Sequence, residues 1–183
     1  MSLILMMIYW IFLPFLVFKA ARWLFRRAGN PLGKGLVVVA ASGLLAWFLW
    51  VAVGENMWLD HQVRKLCAKD GGVKVYETVI LPTEQYNEYA GRNWILPDKS
   101  RANPSDQYYY ERETHYYRKG RPQMSRSQTR IIRRSDGKVL GEYIHYGRGG
   151  GGLPGPWHGS SFMCPDPKTT KFESLIFIEE DDQ

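Results

Sequence analysis

Two apolar runs without a single charged residue, Leu3 to Phe18 and Leu36 to Val53, stand on either side of a basic segment, Lys19 to Lys34 (KAARWLFRRAGNPLGK). No other feature limits the folding of this chain so strongly. A bilayer core of roughly 30 Å takes ~20 apolar residues in a helix, with ~17 at the lower end. The second run has eighteen residues and the first sixteen. The shorter one is extended by Ala20 and Ala21 and by Lys19, whose ammonium can reach the headgroups while its stem stays apolar. The runs therefore predict a transmembrane helical hairpin over residues 1–54. Burying two such aromatic-rich helices in a soluble protein instead would need a large domain around them, and only 125 residues follow Trp58.

A cleaved signal peptide carries positive charge before its apolar stretch. Here no Lys or Arg precedes Leu3 and five follow Phe18 before the second run, so both helices are expected to stay. Lys/Arg in short loops beside the spans mark the cytoplasmic side. Lys19, Arg22, Arg26, Arg27 and Lys34 then lie inside, and the N-terminus and everything after Val53 lie outside. The expected location is a bacterial inner membrane with the C-terminal domain in the periplasm, and the basic loop is expected to contact anionic lipid headgroups. Pro14 predicts a kink in the first helix. Ser42 and Ala46, with Gly43 and Ala40 beside them, form a small-residue face expected to pack the hairpin, or else another protein.

The net charge of +6 follows the same division. Residues 1–58 carry five Lys/Arg against one acidic residue, and the remainder nineteen against seventeen. Most of the excess belongs to the hairpin loop, which makes it a topology signal rather than a nucleic-acid signal.

Residues 55–183 predict a small extracytoplasmic α+β domain: an antiparallel sheet with one or two helices. Glu55 to Ala68 is helical in spacing and stops at Gly71-Gly72. Val73, Val75, Val79 and Leu81 alternate as on one half-buried strand. Pro82 to Ala90 reads as a short helix with Thr83 in capping position, and Asn93 to Asp106 as a long loop. Gln107 to Lys119, Thr129 to Arg134 and Lys138 to Tyr146 read as strands, the last two joined by Ser135-Asp136-Gly137, a hairpin signal. Gly147 to Pro167 reads as a Gly/Pro loop and Lys171 to Glu179 as a final strand.

The only cysteines, Cys67 and Cys164, both fall in the exported part, and an oxidising compartment predicts a disulfide between them. Four histidines, His61, His115, His145 and His158, have no zinc-ligand spacing, so no metal or other cofactor is expected. Gly147 to Gly152 lacks the Gly-Lys-Ser/Thr and the following helix of a phosphate loop; anion binding around Arg148 is the lesser alternative. His158 with Ser160 and Ser161 lacks a strand-to-helix nucleophile elbow, which leaves an envelope hydrolase as the third reading.

The basic and aromatic stretch is the strongest signal in the domain. Nine Lys/Arg stand between Arg112 and Lys138 against Glu113 and Asp136, with Tyr108, Tyr109, Tyr110, Tyr116 and Tyr117 alongside. Such a sheet can stack bases and hold phosphates, but the export topology argues against nucleic acid. The first reading is a non-enzymatic inner-membrane protein whose periplasmic domain binds another envelope protein through Tyr108, Tyr110, Tyr116, Arg130, Arg133 and Arg134. It would serve as an accessory or assembly subunit of an envelope complex, or as an exclusion or immunity factor. The second is a polyanion-binding module for nucleic acid or anionic glycolipid. Carboxylate-bearing partners of the sheet's own arginines are the simplest competitor to both.

Overall fold

The computed structural model describes residues 7–90, 96–152, 159–167 and 169–180. The chain divides into two compact units, Met1–Leu59 with Gly150–Ser160, and Asp60–Gly149 with Ser161–Gln183. The first unit thus extends past Gly54 and takes in a loop from late in the chain.

In the first unit a π-helical turn, Ile8–Phe12, leads into α1 (Leu13–Arg27). Pro14 sits at the start of α1, where its missing N–H breaks the hydrogen-bond ladder and the wider turn absorbs the gap. The chain reverses at Ala28–Asn30. Asn30 caps α2 (Pro31–Leu49), its side chain accepting from the Gly33 N–H at 2.9 Å, and Pro31 presets the first helical φ. Tyr9, near the start of the hairpin, packs on Phe48 near its end, with ring centroids 4.6 Å apart. Both helical stretches are long and apolar enough to cross a bilayer by length and composition.

The seam of the hairpin differs from the expected one. Of the expected small-residue face only Ala40 lines the seam, with Val37, Ala41 and Leu44 against Ala20, Ala21 and Leu24, whereas Ser42, Gly43 and Ala46 are exposed and line none of it. The reason is angular: 37, 41, 44 and 48 follow one helical stripe, and 42, 43 and 46 lie off it. A second π-helical stretch, Trp50–Gly54, follows α2 and lays the Trp50 ring over Gly54, where a Cβ would come within 2.7 Å of it. The chain then enters α3 (Glu55–Asp70).

The second unit is built on an antiparallel sheet. Its strands are β1 (Gly72–Val75), β3 (Tyr108–Arg118), β4 (Gln123–Arg133), β5 (Val139–Gly149) and β6 (Ser161–Cys164), and a small parallel pair joins β2 (Val79–Leu81) to β7 (Phe177–Glu179). The order is β1-β5-β4-β3, with β6 beside β1 along the same edge of β5. The β4–β5 hairpin closes as Asp-Gly predicts: Gly137 takes φ +69°, and its N–H donates to the Arg133 carbonyl. A bulge between Ile131 and Ile132 turns Leu140 into the core.

That core covers one face of the sheet. Tyr108, Ile131, Leu140 and Tyr143 pack beneath Leu81, Phe172, Ile176 and Phe177, supplied by β2, α5 (Phe172–Ile176) and β7, with α4 (Thr83–Tyr89) alongside. Gly141 is required here. A Cβ on it would lie 2.8 Å from Ile176 Cδ1 and 2.9 Å from the Lys74 carbonyl oxygen.

Five expected elements change. Val73 to Leu81 is not one strand but β1 and β2 in different sheets, because the Tyr76 and Glu77 N–H groups both turn onto the Leu140 carbonyl. Lys171 to Glu179 begins as helix, since Phe172 and Ile176 at i, i+4 both reach the core. Its strand pairs parallel, not antiparallel, with β2. β4 starts six residues before Thr129, because the polar run Gln123 to Gln128 pairs on both sides. β6 lies inside the expected Gly/Pro loop. Thr83 begins α4 rather than preceding it, and Pro82 takes the capping position.

Candidate functional site

One face of the large sheet is occupied by α3, fixed at residues recurring on a single helical side. Cys67 is disulfide-bonded to Cys164 on β6, with Cα atoms 5.9 Å apart. Arg148 Nε donates to Asp60 Oδ1 at 2.5 Å, the Tyr146 hydroxyl donates to Asp70 Oδ1 at 2.7 Å, and the Arg64 guanidinium lies over the Phe162 ring at 4.9 Å. Burial, and then the bond to Asp70, push the Tyr146 phenol up to about 12. Arg148 is buried and committed to Asp60, which removes it from the open cationic surface.

The rest of this face alternates charges. Glu142 accepts from Lys74 at 3.3 Å and Gln128 at 2.7 Å, and Arg130 lies 4.0 Å away. Burial acts to raise the Glu142 carboxyl, but hydrogen bonds from Tyr76, Gln128 and Lys74 outweigh it and hold the group below its ordinary value. Lys99 pairs with Glu111 at 2.5 Å. At the β4–β5 turn, opposite Tyr108 of the core-side face, Arg133 grips Asp136 through three contacts of 2.7 to 3.2 Å and reaches Glu77 at 2.6 Å. Lys138 also pairs with Glu77. The Arg133 bond, with help from the Lys138 backbone, draws Asp136 down to about 2.

The residues singled out in the sequence that fall among the described ones each have a definite place. Arg133 is a structural clamp at the β4–β5 turn. Arg134 donates to the Asp106 carbonyl at 2.8 Å and covers the Tyr109 ring. Tyr108 is buried in the core, 6% exposed, against Phe177. Tyr110 packs partly against that core. Tyr116 is 46% exposed. In the hairpin loop, Arg27 lies over Trp23, Lys34 over Phe25 and Lys19 over Phe15, at 4.3 to 5.7 Å, while Arg22 and Arg26 are exposed. Ser160 donates its hydroxyl to the Gly151 carbonyl, and His158 lies outside the described residues.

β3 forms the open edge of the sheet. Tyr110 turns its N–H and C=O outward, to Pro97 and Lys99. By the two-residue period of a strand, Arg112, Thr114 and Tyr116 turn theirs outward too, and among the described residues no backbone group meets them. Arg112 to Tyr117 is exposed throughout. Tyr116 pairs in register with Ser125, and Tyr117, the next residue along the pleat, lies on the opposite face beside His115 and stacked on Tyr146 at 6.3 Å. A free edge with a tyrosine on each face is suited to receiving an extended chain.

The core-side face also holds a cavity of about 440 Å³, next to the core and lined on its far side by Pro167, Thr170, Phe172 and Glu173. Ile131, Tyr143 and Phe172 give it apolar walls, and Arg112, His145 and Glu173 bring ionisable groups. The His145 ring stacks on Tyr143 at 5.2 Å, and its buried Nδ1 has no hydrogen-bond partner. Burial, reinforced by Arg112, pushes the imidazole below its ordinary value, so it is neutral at neutral pH. Burial pushes the Glu173 carboxyl up. In the sequence His145 is only one of four scattered histidines, and Glu173 falls in a supposed strand. The Phe172/Ile176 spacing is the one signal that a helix there would turn Glu173 toward the sheet.

No protein-family model, curated protein or solved structure matches this chain.

Proposed function

We propose that this protein is a non-enzymatic, membrane-anchored binding subunit. Its helical hairpin spans the inner membrane of a bacterium with Lys19, Arg22, Arg26, Arg27 and Lys34 on the cytoplasmic side, and its sheet unit lies in the periplasm. There it binds an extended segment of another envelope protein by strand addition along β3. The observation that carries this reading is the free edge from Arg112 to Tyr117, whose outward backbone groups have no partner. Main-chain bonds to an added strand supply affinity, and flanking side chains supply selection. Tyr116 and Tyr117 are the flanking aromatics, with Tyr110 and Arg130 further along the same two strands.

The compartment is supported by the Cys67–Cys164 disulfide, a bond that persists in oxidising surroundings, and by the five cations at the hairpin bend. The rings beneath Arg27, Lys34 and Lys19 suit side chains extended along a headgroup boundary. A polyanion reading has less support, since Arg126, Arg130 and Arg133 already face Asp70, Glu142, Asp136 and Glu77.

Topology is tested by a reporter active only in the periplasm. Fused after Gln183 it should be active, and inserted at Gly29 inactive; the reverse pattern overturns the assignment. Binding is tested by purifying the full chain in mild detergent and comparing it with Thr114→Pro, which deletes one outward N–H and leaves the inward ladder to β4. One membrane protein should accompany the parent and be lost from the variant.

A further inference from the structure

We propose that the cavity lined by the core-side sheet face and by Pro167, Thr170, Phe172 and Glu173 binds a small zwitterion with an apolar side chain, a free α-amino acid, with Arg112 taking its carboxylate and Glu173 its ammonium.

Two opposite charges, Arg112 and Glu173, feel each other across this cavity without closing into an ion pair. Arg112 and Glu173 line one cavity yet form no ion pair with each other, and among the described residues neither pairs with any other charged group. Arg112 is only lightly engaged, with a 3.4 Å hydrogen bond to Thr129 Oγ1 and a ring contact to Tyr110. Glu173 is half-buried, so its ionised carboxyl is costly without a counter-charge, while Arg112, exposed at the rim, presents its guanidinium to whatever enters. A ligand with a carboxylate alone would meet Glu173 unfavourably, and one with an amine alone would meet Arg112. Only a molecule carrying both signs close together satisfies both walls.

The remaining lining sets the rest of the ligand. Three of the hydroxyls there are already engaged: Tyr143 donates to the Pro165 carbonyl at 3.1 Å, Thr170 to the Asp166 carbonyl at 3.0 Å, and Thr129 accepts from Arg112. Ile131, Tyr143 and Phe172 offer apolar surface for a side chain. The His145 ring adds a neutral polar group whose Nδ1 is unpartnered. A volume of about 440 Å³ falls in the range of small-molecule pockets. Apolar walls with a few convergent polar groups and displaced ionisations are the usual marks of such a site. This inference is independent of the β3 edge reading.

The test uses the full chain in detergent with L-phenylalanine as probe, read by calorimetry and by the rise in melting temperature. L-Phenylalanine should bind, while N-acetyl-L-phenylalanine, without the ammonium, and L-phenylalaninamide, without the carboxylate, should each bind roughly tenfold or more weakly. Arg112→Gln should lose the preference for the free carboxylate and Glu173→Gln the preference for the free ammonium. The analogue series needs no variant, so a misfolded substitution leaves it intact. Absence of binding by both L-phenylalanine and L-leucine at millimolar concentration overturns the proposal, as does equal affinity for the three phenylalanine forms.

Discussion

The Tyr146 hydroxyl meets Asp70 at 2.7 Å, and this bond fixes the last turn of α3 to the middle of the sheet. Tyr146 is almost fully buried, so its phenol has no water to fall back on. Tyr146→Phe should therefore cost about 1 kcal/mol in chemical denaturation.

The disulfide joins the same helix to β6, closing a loop with a sequence separation of 97. Replacing both cysteines by serine should cost about 2 to 5 kcal/mol in denaturation. Under non-reducing conditions the protein from cells should contain no alkylatable thiol. Two reactive thiols would contradict both the bond and the export of the unit.

Gly141 and Gly147 lie on one strand but meet different surroundings. A Cβ at Gly141 would press on the Lys74 carbonyl oxygen at 2.9 Å, whereas at Gly147 its nearest neighbour, Met163 Cγ, is at an ordinary 3.6 Å. Gly141→Ala should lose about 1 to 3 kcal/mol. Gly147→Ala should melt within a few degrees of the parent.

Such close contacts explain what could be read from the residues alone and what could not. The apolar runs, the Asp136-Gly137 turn and the tyrosine-rich β3 obey local rules, so their pattern is visible in sequence. The break at Tyr76 depends on the Leu140 carbonyl 64 residues away, and β6 exists because Tyr146 to Gly149 offers it an edge. Neither has a local signature. Tyr108 and Arg133 have the composition of contact residues, but Phe177, Glu77 and Asp136 claim them, and those partners are distant or unspecific in sequence. The cavity brings together β3, β4, β5 and the C-terminal segment, which no spacing could foretell.

Glu173 and His145 predict opposite pH responses. Burial raises the Glu173 carboxyl above its ordinary 4.5, so from there upward the unfolded chain ionises first and folding stability falls as pH rises. Glu173→Gln should gain stability relative to the parent over that interval. His145 is depressed below 6.5, so as pH falls beneath that value the unfolded chain takes the proton first and stability drops. His145→Gln should lessen that drop. Arg112 faces both groups. Melting curves from pH 4 to 8, a span chosen to bracket roughly both ordinary values, separate the two responses.

The proposed partner lies along β3 outside the cytoplasm. A photo-crosslinking amino acid placed at Tyr116 in living cells addresses it directly, with the same group at Glu84 on α4 as the control. The account predicts one crosslinked envelope protein from position 116, lost when Thr114→Pro is added and absent from position 84. Crosslinks to cytoplasmic proteins or nucleic acid, equal yield from both positions, or no adduct at 116 would contradict it.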